Sequence, residues 1–177
     1  QRLEVEKDQY SSLTKKWRIF NLVENAFSKK GIPLQIIASQ LPLINEEISK
    51  ILQGVVGFTV ELETQPGSND MQVYINYGDS RRIVECGSGM EKMMSSLAIR
   101  VALINVSALP KTDLLVIDEG FGALDDTNIE ACSRLLNSLK KWFKNIMVIS
   151  HVDAVKDAVD NVLEITQFEK NARVVNE

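Results

Sequence analysis

The chain has 177 residues with a formal net charge of −4, and 45% of its residues are hydrophobic, 25% charged and 6% aromatic. This balance is typical of one soluble globular domain and excludes disordered, collagen-like and disulfide-scaffold proteins. The longest apolar stretches, Leu114 to Ile117 and Ile146 to Ile149, are much shorter than the ~20 residues of a membrane-spanning helix, and no secretory leader is recognisable. The acidic balance also argues against a uniformly basic nucleic-acid coat, although it leaves room for a local basic patch.

The few thiol and imidazole groups limit metal and disulfide chemistry. Cys86, Cys132 and the single histidine, His151, cannot form a four-ligand zinc site of the Cys/His kind or a disulfide framework. We therefore expect a reducing, intracellular setting, cytoplasmic, nucleoid or nuclear, for a protein that is not secreted and has no membrane partner. Because the chain begins with Gln1 rather than methionine, we expect it to be a piece of a longer protein.

The first 30 residues have large apolar side chains at heptad spacing, alternately three and four positions apart. They are Tyr10, Leu13, Trp17, Phe20 and Phe27, with Glu24 at the skipped position. This spacing predicts a helix, with two interpretations open: an amphipathic helix packed on its own domain, or the end of a coiled coil whose other strand lies elsewhere. Gly31 and Pro33 predict the end of this helix, and a second amphipathic helix is expected after Pro42.

After Gly57 the hydrophobic period changes from helical to alternating. Apolar and polar residues alternate over 58–63 and again over 72–77, and a loop with Pro66 and Gly67 connects the two runs. This pattern predicts an antiparallel strand pair with one solvated face.

The second half alternates between helical and strand patterns. We expect a helix at about 91–108, a short buried strand at 114–117, a helix at about 126–141, a second buried strand at 146–149 and a further short helix. Connections of this length predict parallel pairing, and therefore an α/β fold. A last strand at about 162–165 is a candidate to extend the same sheet.

The strongest chemical signal is a pair of acids, Asp118 and Glu119, directly after the strand at 114–117. Ligands of open parallel sheets bind at this carboxyl edge. An aspartate there can hold Mg²⁺, which prefers oxygen ligands, and the adjoining glutamate can orient or deprotonate an attacking water. The alternative is that the two acids only end the strand and cap the next turn.

Three further segments contain residues that suit a phosphate-binding or polar site. Residues 87–92, Gly-Ser-Gly-Met-Glu-Lys, open a helix, where backbone N–H groups and the helix dipole favour a phosphate. By itself such a turn is more often only a turn. Residues 120–126 are rich in glycine and end in aspartates that can cap the following helix. His151 follows the strand at 146–149 and is therefore expected at the same edge as Glu119.

In this order and spacing, the motifs resemble those of the C-terminal half of an ABC-type ATPase head. The matching segments are Ser88-Gly89-Met90-Glu91 for the signature motif, Asp118-Glu119 for the end of Walker B, Ala123-Leu124-Asp125 for the D-loop and His151 for the switch histidine. Within ABC ATPases the chain resembles the SMC-like Rad-fifty/SbcC family of DNA double-strand-break repair. Glu91-Lys92, residues 118–125 and residues 25–33 carry this closer resemblance, which covers nearly the whole chain. It implies that residues 1–30 are the end of a returning coiled-coil helix and residues 31–177 the C-terminal lobe of the head.

Two features depart from the family pattern. The common signature Leu-Ser-Gly-Gly-Glu has Gly87 here in place of the leucine and Met90 in place of the second glycine. The sequence also contains no Gly-x-x-x-x-Gly-Lys-Ser/Thr, the cradle for the β- and γ-phosphates. This chain is therefore not expected to hydrolyse ATP alone.

The resemblance implies that ATP and Mg²⁺ are the cofactors and that ATP lies between two dimerised heads, each completed by an N-terminal P-loop lobe of the same protein. Asp118 would hold Mg²⁺ and Glu119 would position the water. Ser88, Gly89 and Glu91 would belong to the nucleotide site of the opposite head, Asp125 would communicate across the dimer, and His151 would sense the γ-phosphate.

The resemblance further implies a nuclease partner of the Mre-eleven/SbcD type near the helix at 10–27, and double-stranded DNA across the assembled heads. Candidate phosphate contacts are Lys15, Lys16, Lys29, Lys30, Lys140, Lys141 and Lys144. The head of a chromosome-organising SMC protein is the nearest alternative, although Phe27 to Pro33 favours the repair branch. A transporter ATPase is more distant because it has no place for the heptad helix, and a decayed scaffold would have lost the acids that this chain retains.

Overall fold

Two long helices begin the chain in the computed structural model, which describes residues 2–28, 30–65, 71–118, 121, 129–168 and 171–175. Helix α1 spans Arg2–Phe27, and helix α2 spans Ile32–Leu52. The predicted first helix is confirmed, and no residue of it is buried. Trp17 and Phe20 are 66% and 72% exposed. A helix packed on its own domain would bury these rings, and the coiled-coil interpretation stays a prediction.

Helix α2 begins earlier than expected and contains Pro42 in its interior. Pro33 lies in the first turn, where a backbone N–H has no acceptor within the helix, so it starts the helix instead of preventing it. Apolar residues then recur at helical spacing and are buried: Leu41, Ile44, Ile48, Ile51 and Leu52. At Gly31, between the two helices, a Cβ would collide with the carbonyl oxygens of Asn25 and Ala26.

A small sheet follows, with strands β1 (Thr59–Thr64), β2 (Met71–Asn76) and β3 (Arg81–Ile83) in the order β1-β2-β3. Strands β2 and β3 are antiparallel, with Ile75 opposite Arg82. The predicted alternation is confirmed in β1, where Val60 and Leu62 are buried and Thr59 is exposed. The short strand β3, which contains two arginines, is an addition that the hydrophobic pattern did not indicate.

Helix α3 (Gly89–Val106) follows a 3₁₀ turn at Val84–Cys86 and has a buried apolar face. The members of this face are Met94, Leu97, Ala98, Val101 and Ala102. Their spacing of one, three and four residues places them on one side of the helix, as the sequence predicted.

Strands β4 (Leu114–Asp118) and β5 (Asn145–Ile149) form a parallel pair, in which Val116 lies opposite Met147 and Asp118 opposite Ile149. Helix α4 (Ile129–Leu139) lies between them in sequence, and a 3₁₀ helix (Asp153–Ala158) follows β5. The predicted parallel pairing is confirmed. The prediction that both strands are buried is wrong, because alternate residues of each strand are about half exposed: Leu114, Val116, Met147 and Ile149.

The last strands are β6 (Glu164–Phe168) and β7 (Asn171–Val175), an antiparallel pair with Thr166 opposite Arg173. Within the described residues they form a sheet of their own, so the expected extension of the β4–β5 sheet at 162–165 is wrong. An antiparallel partner that follows directly in sequence needs only a short turn, whereas joining a parallel sheet needs a long crossover.

The chain divides into two compact units, residues 1–42 with 63–72, and residues 43–62 with 73–177. Nearly all of the buried apolar side chains belong to the second unit. Within that unit the Asn45 side chain is bonded to the backbone of Leu62, donating to its carbonyl at 3.1 Å and accepting from its N–H at 2.9 Å. No helix in the described part of the chain has both the length and the hydropathy to cross a membrane.

Candidate functional site

The signature turn is held by reciprocal hydrogen bonds at the start of α3. The Ser88 hydroxyl oxygen accepts from the Glu91 backbone N–H at 3.3 Å, and the Glu91 carboxylate accepts from the Ser88 N–H at 2.6 Å. This capping box satisfies two N–H groups that a helix start would otherwise leave without partners. The predicted helix start is confirmed, and Met90 has an ordinary helical position in the first turn. Residue 90 therefore needs no glycine-only conformation.

Glu91 is the most deeply buried charged residue that the structure describes, at 3% exposure. Its carboxylate also accepts from the Tyr77 hydroxyl and from the Arg82 guanidinium, the latter at 2.6 Å. Burial alone would raise the pKa of Glu91, but the hydrogen bonds from Tyr77, Ser88 and Arg82 outweigh it and lower the pKa to about 2. Both carboxylate oxygens are thus bonded within the chain. The predicted contact of Glu91 with a nucleotide stays a prediction. The contacts that the structure shows for Glu91 stabilise the signature turn.

Gly87 is closely surrounded, so a leucine at this position would require its neighbours to shift. A Cβ at this position would lie 2.9 Å from the Val84 carbonyl oxygen, 3.2 Å from Ile75 Cδ1 and 3.3 Å from the Glu91 carboxylate. The Gly87 N–H donates to the Val84 carbonyl at 2.9 Å, closing the 3₁₀ turn that precedes α3. Glycine therefore lets this turn pack directly beneath the signature residues.

We expect Gly87→Ala to lower the free energy of unfolding by about 1–2 kcal/mol, because the added methyl group overpacks the turn. Gly57→Ala is the matched control, since a Cβ at Gly57 has nothing within 4 Å. Denaturant unfolding of the two variants measures the difference. Equal stability of both variants would contradict the steric explanation for glycine at position 87.

Asp118 and His151 lie at the same end of the parallel pair. Asp118 is the last residue of β4, opposite Ile149 of β5, and His151 follows two residues after Ile149. Both are exposed. The Val152 N–H donates to the Ser150 hydroxyl at 3.1 Å, which turns the chain after β5. The structure therefore brings Asp118 and His151 to one sheet edge.

The exposed Asp118 carboxylate fits a magnesium ion that takes one protein carboxylate and completes its shell with water and phosphate oxygens. Among the described residues no group of three metal-ligating side chains occurs, and magnesium sites of this kind do not require one. Glu119 and Asp125 lie outside the described residues, so their roles stay predictions.

The predicted DNA-contacting lysines differ in their surroundings. Lys140 pairs with Asp160 at 2.8 Å and Lys144 with Asp113 at 2.5 Å. These pairs are exposed, and such pairs contribute little to stability; contact of these lysines with DNA stays a prediction. Lys15, Lys16, Lys30 and Lys141 are exposed, and Lys29 lies outside the described residues.

Tyr77 and Arg82 contribute to the site but were not predicted from the sequence. The alternating pattern of residues 72–77 indicated Tyr77 only as an apolar strand residue, and Arg82 belonged to no motif. The available signal was the Ser88-x-x-Glu91 spacing of a capping box, since a carboxylate drawn under a helix start needs further donors.

No family model matches the chain, but comparison of its sequence with those of known proteins finds several relatives. The chain is 28% identical over 162 residues to an uncharacterised protein of Acanthamoeba polyphaga mimivirus, covering 82% of this chain and 12% of that protein. It is 27% identical over 148 residues to the SbcC component of the nuclease SbcCD of Clostridium acetobutylicum, covering 82% and 13%. It is also 27% identical over 152 residues to the DNA double-strand break repair Rad50 ATPase of Saccharolobus solfataricus, covering 81% and 17%. The chain thus spans less than a fifth of the length of these relatives.

Solved structures with the same fold include heads of SMC proteins. A structure from work on ATP-driven dimerization and DNA-stimulated activation of SMC ATPases matches with a TM-score of 0.67 at 20% identity, covering 81% of this chain and 89% of that chain. The SMC head domain of Thermotoga maritima matches with a TM-score of 0.55 at 25% identity, covering 82% and 51%. The chain therefore has the α/β fold of an SMC ATPase head, and its sequence similarity to Rad50 and SbcC proteins confirms the family resemblance that its motifs indicated.

Proposed function

We propose that this chain is the C-terminal lobe of a DNA-repair ATPase head, which binds and hydrolyses ATP between two dimerised heads and controls a nuclease acting on DNA double-strand breaks or ends. The observation that carries the proposal is the capped signature turn, in which Ser88 and Glu91 exchange hydrogen bonds, in a chain with the SMC head fold. The sequence relatives, which include a Rad50 ATPase and the SbcC component of SbcCD, support the repair branch.

The β4–β5 sheet supports the need for a second lobe. Leu114, Val116, Met147 and Ile149 leave one face of it about half exposed. Parallel strands are normally covered on both faces, and a two-stranded sheet is marginal by itself. A P-loop-bearing lobe that covers this face and adds strands would complete the sheet and supply the phosphate cradle that this sequence lacks.

The signature turn can then meet a γ-phosphate held by the opposite head. The Ser88 oxygen accepts from the Glu91 N–H, which leaves the hydroxyl proton to be donated to a phosphate oxygen. The first-turn amides of Gly89 and Met90 have no acceptor within the helix, and the positive end of the helix dipole adds to the attraction. This arrangement binds phosphate without requiring a lysine from this chain.

The sheet edge supplies the hydrolytic groups. Asp118 would hold Mg²⁺, which stabilises charge on the phosphates when bound. Glu119 would orient and deprotonate the attacking water, His151 would sense the γ-phosphate of the same head, and Asp125 would communicate between heads. Because phosphoryl transfer depends mainly on positioning and electrostatics, dividing these groups between lobes makes turnover depend on assembly.

Helix α1 supports the proposed arrangement in which residues 1–30 end a coiled coil and residues 31–177 form the lobe. Its exposed aromatic residues, such as Trp17 and Phe20, suit either a coiled-coil strand or the groove of a nuclease of the Mre-eleven/SbcD type. Double-stranded DNA would contact exposed lysines such as Lys15 and Lys16. The second candidate is a chromosome-organising SMC head, which the structural neighbours favour.

The test is ATP turnover by this chain alone, by the chain combined with the P-loop-bearing lobe, and by that combination with duplex DNA. We expect no turnover by the chain alone, turnover by the combination, and stimulation by DNA together with activation of the nuclease partner. Turnover by the isolated chain would contradict the proposal. An ATP turnover rate that is the same with and without the nuclease partner would favour the SMC candidate.

A further inference from the structure

We infer that Tyr77 and Arg82 are positioning residues for the signature turn: they hold the buried Glu91 carboxylate, which in turn holds Ser88 where a phosphate would meet it. Neither residue belongs to a signature, Walker or switch motif. The inference rests on the proposed nucleotide role of Ser88, and the local geometry on which it depends can be measured without ATP.

The three-part contact begins with the burial of Glu91. Its side chain is 4% exposed, whereas the Arg82 side chain is 48% exposed. A buried carboxylate is strongly unfavourable unless charged or polar donors surround it. Here the donors are the Tyr77 hydroxyl, the Arg82 guanidinium at 2.6 Å and the Ser88 N–H at 2.6 Å. Two of the three come from outside the motif.

The hairpin between β2 and β3 fixes both external donors. The Tyr77 N–H donates to the Ser80 carbonyl at 2.9 Å, and Gly78 has a φ of 94°, which closes the turn. The Tyr77 ring lies 5.5 Å from the ring of Phe58, which is itself buried. The hairpin is therefore anchored on the core, and the Tyr77 hydroxyl group donates to the Glu91 carboxylate.

Arg82 is oriented by the same hairpin. It lies opposite Ile75 in the β2–β3 pairing, and its guanidinium is 5.5 Å from the centre of the Tyr77 ring. Contact with Glu91 and with the ring restricts the guanidinium from two sides. A change at this turn would thus reach Ser88 through a single buried carboxylate.

Loss of Tyr77 or Arg82 would affect catalysis through Glu91 and Ser88. If Tyr77 or Arg82 is lost, Glu91 has fewer donors and its bond to the Ser88 N–H weakens. The turn then samples positions in which the Ser88 hydroxyl and the first-turn amides miss the phosphate. Displacements of about 1 Å at reacting groups can lower rates by about a hundredfold, whereas ATP binding to the P-loop of the other lobe does not depend on this turn.

The first arm of the test uses the head assembled with its P-loop lobe and requires no nucleotide. In Tyr77→Phe and Arg82→Gln we expect amide hydrogen exchange at Ser88 and Glu91 to become about tenfold faster, and the Glu91 carboxyl to titrate at a higher pH by carbon NMR. The matched controls are Tyr74→Phe and Arg81→Gln, which remove the same groups from neighbouring positions. Arg81 contacts the Tyr74 ring at 3.9 Å and Glu61 at 3.7 Å instead of Glu91. Unchanged exchange and titration in both test variants would overturn the inference.

The second arm uses the head assembled with its P-loop lobe. We expect kcat to fall about tenfold or more in the test variants while KM for ATP stays within about twofold, with partial recovery in Arg82→Lys, because lysine restores one charged donor. A rise in KM with kcat unchanged would overturn the positioning role. If no assembled protein turns over ATP, the proposed function fails, while the first arm still decides whether Tyr77 and Arg82 hold the turn. Unchanged exchange at Leu135 in α4 shows that a variant is still folded.

Discussion

Replacement of Glu119 by glutamine is expected to lower ATP turnover by the assembled head by a hundredfold or more, since general-base catalysis contributes about 10²–10⁴-fold. In sequence Glu119 follows Asp118, and Asp118 is the last residue of β4, at the edge that also carries His151. Glutamine keeps nearly the same shape and can still orient a water, but it cannot accept the water's proton at neutral pH. The loss should therefore appear in kcat.

Nucleotide-dependent dimerisation distinguishes this effect from simple misfolding. Because the substitution removes a group that acts on water, ATP should still join two heads carrying Glu119→Gln, and their dimer should persist longer than that of the unmodified protein. Glu130→Gln is the matched control, since Glu130 is an exposed residue of α4 that pairs with Arg134 on the helix surface. ATP turnover that is unchanged in Glu119→Gln but reduced in Glu130→Gln would contradict the proposed mechanism.

The second large effect concerns stability and follows from the buried carboxylate. We expect Glu91→Gln to lower the free energy of unfolding by about 3 kcal/mol at pH 7. A glutamine cannot accept all three hydrogen bonds that Tyr77, Arg82 and Ser88 donate, because in one orientation its NH2 group faces the Ser88 N–H and in the other it faces Tyr77 and Arg82. Denaturant unfolding at several pH values measures the difference.

The pH dependence has a definite direction. The pKa of Glu91 falls from 4.5 to about 2 in the folded chain, so the folded state favours the ionised form. This contribution is fully present above about pH 4.5 and disappears as the pH falls towards 2, where the folded carboxyl also becomes protonated. The gap between the unmodified chain and Glu91→Gln should therefore close over this range.

Glu85→Gln provides the control for general charge effects. Glu85 is an exposed residue of the 3₁₀ turn beside the signature, so its substitution removes the same charge without removing the buried contacts. We expect a change of less than about 0.5 kcal/mol. A pH-independent gap for Glu91→Gln, or an equal effect of Glu85→Gln, would show that the carboxylate is not held as the structure indicates.

Periodicity along the chain was sufficient to predict most of the elements and the order of the motifs. The heptad spacing from Tyr10 to Phe27 predicted α1, the alternation around Val60 predicted β1, and the run from Leu114 to Asp118 predicted a strand that ends in an acid. These features depend on periods of 3.6 and 2 residues, which are local properties. The parallel pairing of β4 and β5 also followed, because the length of the connection allowed little else.

Local rules misplaced elements whose outcome depends on distant residues. Pro42 was expected to precede a helix, but it lies inside α2, whose Ile48 and Ile51 are buried. The strand near residue 165 was expected to join the parallel sheet, but it pairs with β7. At Pro42 the burial of one face of α2 outweighed the preference of proline against a helix interior, and near residue 165 a strand close in sequence was the available partner.

The role of Glu91 and of the residues around it could be recognised only in the folded chain. A sequence shows a glutamate in a motif, but its burial, its low pKa and its bonds to Tyr77 and Arg82 depend on a hairpin that folds back onto α3. Beside it, a Cβ at Gly87 would lie 3.2 Å from Ile75 Cδ1 of β2 and 3.3 Å from the Glu91 carboxylate. Hydrogen bonds and steric exclusion act over a few ångströms between residues that are separated in sequence. The motif therefore specified where α3 begins, and the fold specified what holds that beginning in place.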